Sequence, residues 1–425
     1  MTTTTRPGTR ASAKPSMSDV AAELMARERT FGARNYDPLP VVLARGAGSW
    51  LTDVDGRRYL DLMSAYSAVS FGHAHPRILA ALMAQAQSLG VTSRAYFNDE
   101  LPPLLERLAR LTQMDRVLPA NGGAEAVETA LKAARKWAHK VKGVPDGQAE
   151  IIACRGNFHG RTITACGLSS EAQYRDGFGP FPPGLFTVPF GDAAALARAI
   201  TPRTAAFLVE PIQGEGGIIV PPDGYLRECL ALCRERRVLM ICDEIQTGLG
   251  RTGKLLACEH EGIRPDGVIL GKALGGGLLP VSAFCATDDV MQVFNPGDHG
   301  STFGGNPLAA AVAMTALDVL FEERLVERAA ELGPWLIEAL ADLPGPIVTD
   351  VRGRGLFVGI EVDARVGARE VVDRLLARGI LSKDTHGTVI RIAPPLNIPR
   401  EDLAWAVAEI HAVFAELSRD HKLAA

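Results

Sequence analysis

Polar residues that directly follow long apolar runs restrict the fold more than any other feature of this chain. Each of three runs is followed, at once or after one glycine, by a polar residue: 206–209 by Glu210, 238–242 by Asp243, and 268–270 by Lys272. Short, fully apolar runs are typical of buried strands in a parallel sheet. A strand, its crossover and the next parallel strand take about 30 residues, which is the spacing of these runs. The spacing predicts an α/β fold in which the three polar residues occupy equivalent strand ends.

The polar strand ends predict a cofactor. Ligands of open α/β sheets bind at the carboxyl ends of the strands, so Lys272 and Asp243 are expected to share one site. Pyridoxal 5′-phosphate (PLP) requires an amine for a Schiff base and a carboxylate that keeps its ring nitrogen protonated. Gln246 could donate a hydrogen bond to the phenolic oxygen. A lysine in a surface loop and an aspartate that caps a strand in solvent are the alternatives without function.

Two further segments would complete such a site. The first precedes a helical run at 129–136 and offers backbone N–H groups to an anion such as phosphate, although an ordinary turn is the alternative. Its residues are Gly122, Gly123 and Ala124. In the second segment, Phe158 could stack on a flat ring or belong to the core. Arg161 suits bidentate recognition of a carboxylate.

Composition excludes several classes of function. With 425 residues, 47% of them hydrophobic and 22% charged, the chain is expected to form a soluble protein of two domains. The formal charge of −4 gives no reason to bind nucleic acid or an anionic membrane. No apolar stretch approaches the ~18 residues of a membrane span. Seven scattered cysteines predict buried free thiols in a reducing compartment, which places the protein in the cytoplasm.

Two motifs suggest other activities and are rejected. Residues 248–254 fit the phosphate-binding pattern G-x-x-x-x-G-K, but Leu255 stands where the magnesium-binding Ser or Thr belongs. That stretch also leaves no room for a strand of its own. His73 and His75 resemble a metal-binding pair, but no third ligand has suitable spacing, so no metal is predicted.

The order of predicted elements divides the chain. Residues 1–17 are expected to form a disordered tail, and residues 18–65 an N-terminal segment whose hairpin joins the small domain. Alternating helices and strands predict a large domain over 66–320, with a doubly wound, mainly parallel sheet. A smaller α+β domain is predicted over 321–425.

Several blocks, in chain order, resemble the class III, fold-type I PLP-dependent aminotransferases, and within them the ornithine aminotransferases. They are NYDPLPVVL (35–43), YLDLMSAYSAV (59–69), GNFHGRT (156–162), VEPIQGEGG (209–217), CDEIQTGLGRTG (242–253), LGKALGGGLLPVSA (270–283), HGSTFGGNPLA (299–309) and RIAPPLNI (391–398). The resemblance implies a homodimer with shared active sites, an amino donor and a 2-oxo acid as substrates, and PLP as cofactor.

The resemblance also implies a role for each site residue. Around the ring of the cofactor, Lys272 would be the Schiff-base lysine, Asp243 would contact the ring nitrogen, Gln246 the phenolic oxygen, and Phe158 would stack on the ring. The phosphate would be held by Gly122, Gly123, Ala124 and Ser301. Thr302 would reach the phosphate bound in the neighbouring subunit. Tyr36 and Tyr66 would receive the α-end of ornithine. Glu215 would mask Arg391 until 2-oxoglutarate enters, while Arg161 would hold the distal carboxylate.

The expected reaction converts L-ornithine and 2-oxoglutarate to glutamate 5-semialdehyde and glutamate. The semialdehyde then cyclises to pyrroline-5-carboxylate. Three departures from the family pattern affect this expectation: Gly122 replaces a usual Thr or Ser, residues 70–75 differ from the ornithine enzymes, and Gly216 replaces Ala. Because of these departures, the chain could instead be another ω-aminotransferase, with acetylornithine, 4-aminobutyrate, lysine or another amine as donor. An aminomutase acting on glutamate 1-semialdehyde and a non-catalytic paralogue are the further alternatives.

Overall fold

The computed structural model describes residues 18–344 and 347–421, so the tail predicted for 1–17 lies outside the described residues. The strands are β1 (Leu43–Ala47), β2 (Trp50–Asp53), β3 (Arg58–Asp61), β4 (Arg116–Ala120), β5 (Glu150–Cys154), β6 (Leu185–Val188), β7 (Thr204–Val209), β8 (Leu239–Asp243), β9 (Gly267–Leu270), β10 (Ser282–Ala286), β11 (Val348–Arg354), β12 (Phe357–Val362), β13 (Ile380–Leu381), β14 (Lys383–Thr385) and β15 (Val389–Ile392).

The helical segments alternate with these strands through the middle of the chain. They are α1 (Asp19–Phe31), α2 (Ser64–Ser67), α3 (Pro76–Ser88), α4 (Leu101–Thr112), α5 (Gly123–Trp137), α6 (Ile163–Leu168), α7 (Ala172–Arg175), α8 (Ala193–Ala199), α9 (Tyr225–Glu235), α10 (Asp288–Met291), α11 (Pro307–Glu322), α12 (Leu325–Ala341), α13 (Ala368–Ala377) and α14 (Arg400–Asp420). Within the described residues, no helix combines the length and the hydropathy needed to cross a membrane.

The central sheet has the strand order β4-β10-β9-β8-β7-β5-β6, and β10 runs antiparallel to both of its neighbours while the remaining pairs are parallel. Side chains of β8 alternate between two cores: Ile241 packs in the core that contains helix α5, and Met240 in the core that contains α9. Helices thus cover both faces of the sheet, which explains why its central strands are apolar throughout. The predicted doubly wound, mainly parallel α/β fold is confirmed.

Two smaller sheets involve the C-terminal part of the chain. One is antiparallel, with the order β11-β12-β15-β14. In the other, the N-terminal hairpin of β2 and β3 pairs with β13, which lies parallel to β3. Trp50 of the hairpin donates a hydrogen bond to Asp402 of α14 over 2.8 Å. The N-terminal hairpin therefore contacts C-terminal elements, whereas the predicted domain boundaries stay predictions.

Candidate active site

A cavity of about 200 Å³ lies where strands β7, β8 and β9 end. Parallel strands bring their carboxyl ends to one edge of the sheet, and this edge collects the polar residues predicted from the strand spacing. The cavity is lined by Gly123, Ala124, Phe158, His159, Gly160, Glu210, Ile212, Asp243, Ile245, Gln246, Thr247 and Lys272.

Lys272 begins a short 3₁₀ turn after β9 and adopts a left-handed backbone with φ of 45°. Such a conformation is unusual for a residue with a side chain and often marks a functional site. Burial lowers the pKa of Lys272, although the carboxylates of Glu215, Asp243 and Glu210 oppose the shift. The lowered pKa makes the neutral, nucleophilic form of the amine more accessible than it is for a lysine in water.

Asp243 is held in one orientation by two donors. Nδ1 of His159 lies 2.7 Å from one carboxylate oxygen, and the backbone amide of Ile245 lies 3.1 Å from the other. Burial works to lower the pKa of His159, but its hydrogen bond to Asp243 and the charges of Asp243 and Glu210 outweigh burial and raise it. A carboxylate with a fixed orientation in the cavity is what a partner for a protonated ring nitrogen requires.

Glu210 accepts hydrogen bonds from two loops at the end of β7. The amide of Phe158 donates to one oxygen over 2.9 Å, and the amide of Gly214 donates to the other over 3.4 Å. Burial raises the pKa of Glu210 to about 7, against the opposing charge of His159. The sequence placed Glu210 at a strand end but assigned it no role.

The first turn of α5 faces the same cavity. Gly122 is the residue before the helix, and the amides of Gly123 and Ala124 belong to a turn whose N–H groups have no partner inside the helix. Gly160 packs so closely that a Cβ there would lie 2.9 Å from the Cβ of Ala124. These features create a narrow site for an anion at the positive end of the helix dipole.

Ser301 and Thr302 lie in the loop before α11. The hydroxyl of Ser301 accepts hydrogen bonds from the side chain of Asn121 over 2.9 Å and from the amide of Gly304 over 3.1 Å. Asn121 immediately precedes the glycine pair, so Ser301 is close to the predicted anion site of its own protomer. The side chain of Thr302 is exposed, and its predicted contact with a second subunit stays a prediction.

The residues predicted to bind the substrate form two groups. In one, Glu215 forms an ion pair with the buried Arg391, whose guanidinium carbon lies 5.0 Å from the centre of the Tyr66 ring. Burial raises the pKa of Tyr66, the charge of Arg391 opposes the rise, and the charges of Glu215 and Tyr36 add to it. Tyr36 itself is exposed on the protomer.

The second group surrounds Arg161 and Phe158. The guanidinium carbon of Arg161 lies 3.6 Å from the centre of the Tyr174 ring and 5.4 Å from that of Phe158. Cation–π contacts at these distances hold the guanidinium beside the cavity-lining Phe158. Tyr174, which sequence reasoning did not single out, therefore orients the arginine predicted to bind a carboxylate.

Tyr66 lies in a left-handed turn without a glycine. Residues Ser64–Ser67 all have positive φ angles, between 46° and 73°. Asp61 stabilises the entry to this turn by accepting hydrogen bonds from the amides of Met63 and Ser64. On the cavity side, Gln246 donates to the carbonyl of Tyr66 over 3.2 Å. The predicted cofactor contact Gln246 thus also positions the turn that carries Tyr66.

Comparison with known proteins decides the family. Residues 31–414 match the family model described as aminotransferase class-III. The chain belongs to the class III aminotransferases. It is 58% identical over 389 residues to the ornithine aminotransferase of Bordetella pertussis, covering 91% of this chain and 94% of that protein. It is 55% identical over 397 residues to the ornithine aminotransferase of Halalkalibacterium halodurans, covering 93% and 99%.

Solved structures of class III aminotransferases have the same fold. The ornithine aminotransferase of Toxoplasma gondii matches with a TM-score of 0.93 and 45% identity, over 94% of this chain and 96% of that one. The acetylornithine aminotransferase of Elizabethkingia anophelis matches with a TM-score of 0.84 and 45% identity, over 93% and 99%. The family resemblance expected from the motifs is confirmed, and this chain is a PLP-dependent aminotransferase.

The cavity of this class III aminotransferase fits PLP. Among its lining residues, Lys272 supplies an amine, Asp243 a buried carboxylate, and the start of α5 free amides for a phosphate. At Gly160 a larger side chain would collide with Ala124 at the start of this helix. The individual contacts of these residues with the cofactor stay predictions.

Six lining residues were missed or left without a role by sequence reasoning. They are His159, Gly160, Glu210, Ile212, Ile245 and Thr247. His159 follows Phe158 directly in GNFHGRT, so the motif itself contained the signal. The side chain of Ile245 packs against Gly123, where a Cβ would lie 3.0 Å from it, and it lines the cavity two residues after Asp243. Strand-end spacing identifies only the residue at the end of a strand and gives no information on the loop that follows.

Proposed function

We propose that this enzyme is an ornithine δ-aminotransferase that transfers the terminal amino group of L-ornithine to 2-oxoglutarate. The products are glutamate and glutamate 5-semialdehyde, which cyclises to pyrroline-5-carboxylate. The observation that carries the proposal is the ion pair of Glu215 and Arg391 beside Tyr66. A masked arginine does not attract the α-carboxylate of the donor, so a diamino acid can present its terminal amine. Ornithine aminotransferases 55–58% identical over most of the chain support the same substrate.

The residues of the cavity divide the chemistry between them. When bound, PLP withdraws electrons from the carbon that loses its proton. Asp243, oriented by His159 and the Ile245 amide, would hold a proton on the ring nitrogen. The amine of Lys272 would hold the cofactor at rest as a Schiff base and, once released, would accept the proton that leaves the amine-bearing carbon of the substrate. Phe158 would stack on the ring.

The two half-reactions require different states of Arg391. With Glu215 paired to it, the arginine is neutralised while ornithine reacts. When 2-oxoglutarate enters, Glu215 would turn away, Arg391 would bind the α-carboxylate, and Arg161 would bind the distal carboxylate. The ion pair therefore acts as a switch between the two substrates.

Glu215→Ala is expected to increase the reactivity of the enzyme with α-amino acids relative to ornithine by about tenfold, because a free arginine gains about 1.4 kcal/mol or more from a carboxylate. The measurement is the ratio of the half-reaction rates with L-glutamate and L-ornithine. Glu409→Ala serves as the control because Glu409 pairs with Arg378 on the C-terminal helices. An unchanged ratio in Glu215→Ala would refute the switch.

A donor panel tests the proposed substrate. The holoenzyme is mixed with L-ornithine, N-acetylornithine or 4-aminobutyrate, and the absorbance of the bound cofactor is followed. Rapid loss of absorbance with L-ornithine, together with turnover that depends on added 2-oxoglutarate, is the expected result. A faster reaction with N-acetylornithine would assign the enzyme to another donor. Turnover of glutamate 1-semialdehyde without an added oxo acid would indicate an aminomutase.

We further propose that the enzyme is a cytoplasmic homodimer with shared active sites. Large side chains stand exposed on the single protomer, with Tyr96 72%, Phe97 100% and Phe303 56% exposed, as expected of a surface that a partner covers. Thr302 lies beside Phe303. All seven cysteines are buried and unpaired, which suits a reducing compartment. Light scattering of the purified enzyme should give twice the 45.3 kDa of the chain.

A further inference from the structure

Glu210 is the cavity carboxylate for which the mechanism above has no use. It is buried at the end of β7, beside the cavity that also contains Lys272 and Asp243. The charges of His159 and Asp243 act on the pKa of Glu210 in opposite directions, His159 lowering it and Asp243 raising it. A buried carboxylate next to a second one is costly unless its oxygens are hydrogen-bonded. Its two oxygens accept from the Phe158 and Gly214 amides, which belong to loops 52 and 4 residues away in sequence.

The backbone of Gly214 fixes the loop that carries Glu215 through hydrogen bonds. Its amide donates to Glu210, while its carbonyl accepts hydrogen bonds from the amides of Gly217 and Ile218 at 3.1 Å and 3.2 Å. The backbone on both sides of Glu215 is therefore held independently of the ion pair between its side chain and Arg391. This arrangement suits a residue that must change partner without displacing its loop.

The two loops are also in direct contact. The side chain of Gln213 donates to the carbonyl of Arg155 over 2.8 Å. A Cβ at position 216 would lie 2.9 Å from the carbonyl of Gly156. A shift of the loop containing Phe158 would thus be transmitted to the loop containing Glu215, and Glu210 accepts a hydrogen bond from each of them.

We propose that Glu210 is a positioning residue that fixes the ring-stacking Phe158 loop and the Glu215 loop relative to each other. One carboxylate serves both loops because each of its oxygens accepts one amide, whereas a glutamine has a single acceptor oxygen. Stacking on the cofactor and masking of Arg391 are then coupled through one side chain. The substrate consequence rests on the proposed function, but the structural link does not.

Hydrogen–deuterium exchange on the full-length holoenzyme tests the link. In Glu210→Ala, the amides of both Phe158 and Gly214 are expected to exchange about tenfold faster than in wild type, since each loses its hydrogen bond to a buried side-chain oxygen. In Glu210→Gln, at least one of these two amides is expected to exchange about tenfold faster than in wild type, because glutamine has a single acceptor oxygen. Glu150→Gln is the matched control because Glu150 is a buried carboxylate at the start of β5, bonded to Thr201 and Arg203.

The outcomes separate the alternatives. The link would be overturned if the amides of Phe158 and Gly214 exchanged at wild-type rates in the two variants. It would also be overturned if the two variants accelerated exchange at a single amide and that amide were the same in each. If Glu210→Ala does not fold, Glu210→Gln alone decides, with unchanged exchange at both amides as the contrary result. If Glu150→Gln accelerated exchange at these two amides as much as the Glu210 variants do, the effect would be a general loss of stability. That result would also overturn the link between the two loops.

A kinetic measurement adds the substrate consequence. Glu210→Gln should lower the preference for L-ornithine over L-glutamate in the half-reaction several-fold, since Glu215 then masks Arg391 less well. An unchanged preference would overturn the coupling of the two loops to substrate choice. If the wild-type enzyme does not react with L-ornithine at all, the proposed function fails, while the exchange experiment still decides the role of Glu210.

Discussion

Lys272→Ala is expected to lower kcat by at least ~10⁴-fold, because it removes the residue that we propose as both the nucleophile and the general base of the reaction. Among the residues that line the cavity, Lys272 alone carries an amine. The cofactor should then bind without a covalent bond, so its absorbance should resemble that of free PLP. Turnover with L-ornithine and 2-oxoglutarate and the absorbance of the purified protein measure the two effects.

The same substitution is not expected to unfold the protein. Burial lowers the pKa of Lys272, which means that the folded protein disfavours the charged amine. Removing that amine should therefore leave the Tm of the cofactor-free protein unchanged or raise it. Lys254→Ala is the control, since Lys254 is an exposed lysine of a neighbouring glycine-rich loop. Wild-type turnover in Lys272→Ala would contradict the assignment of the site.

The central fold could be predicted because burial on both faces leaves an unambiguous pattern. Strands such as β7 and β8 are apolar at nearly every position, and topology places their polar end residues together. Strand β4 was not predicted. It is an edge strand that begins with Arg116 and contains Pro119, and both residues weaken the pattern of a central strand.

The site was predictable where it depends on strand ends and unpredictable where loops cross. Asp243 and Lys272 follow from strand spacing alone. The contact of Glu210 with Phe158 depends on how a loop 52 residues away folds back over the sheet. The left-handed turn around Tyr66 contains no glycine or asparagine, so nothing in its local sequence signals positive φ angles.

Arg251 shows how a rejected motif can still carry a structural role. It belongs to the glycine-rich stretch that mimics a phosphate-binding loop, yet it is fully buried. Its guanidinium donates to the carbonyls of Leu356 and Pro394 at 3.0 Å and 2.5 Å, and to the hydroxyl of Ser70 at 2.9 Å. Burial lowers the pKa of Arg251 to about 9. The residue joins three distant parts of the chain through neutral acceptors.

Arg251→Met is expected to lower the free energy of unfolding by about 3 kcal/mol. Two buried carbonyls would lose their donor at about 1–3 kcal/mol each, and the relief of a buried charge offsets part of that cost. The midpoint of urea unfolding of the cofactor-free protein measures the change. Arg198→Met is the control, since Arg198 is 71% exposed on α8 and its replacement should change stability by less than about 0.5 kcal/mol.

The same substitution should also weaken substrate binding. Ser70 follows the turn that carries Tyr66, and Pro394 follows the strand that carries Arg391. Arg251 therefore joins the two segments that we propose to bind the substrate. Releasing them is expected to raise KM for L-ornithine more than it lowers kcat, because Asp243 ends strand β8 and Lys272 closely follows strand β9 of the central sheet. Equal unfolding midpoints for Arg251→Met and Arg198→Met would show that the buried guanidinium does not hold these segments together.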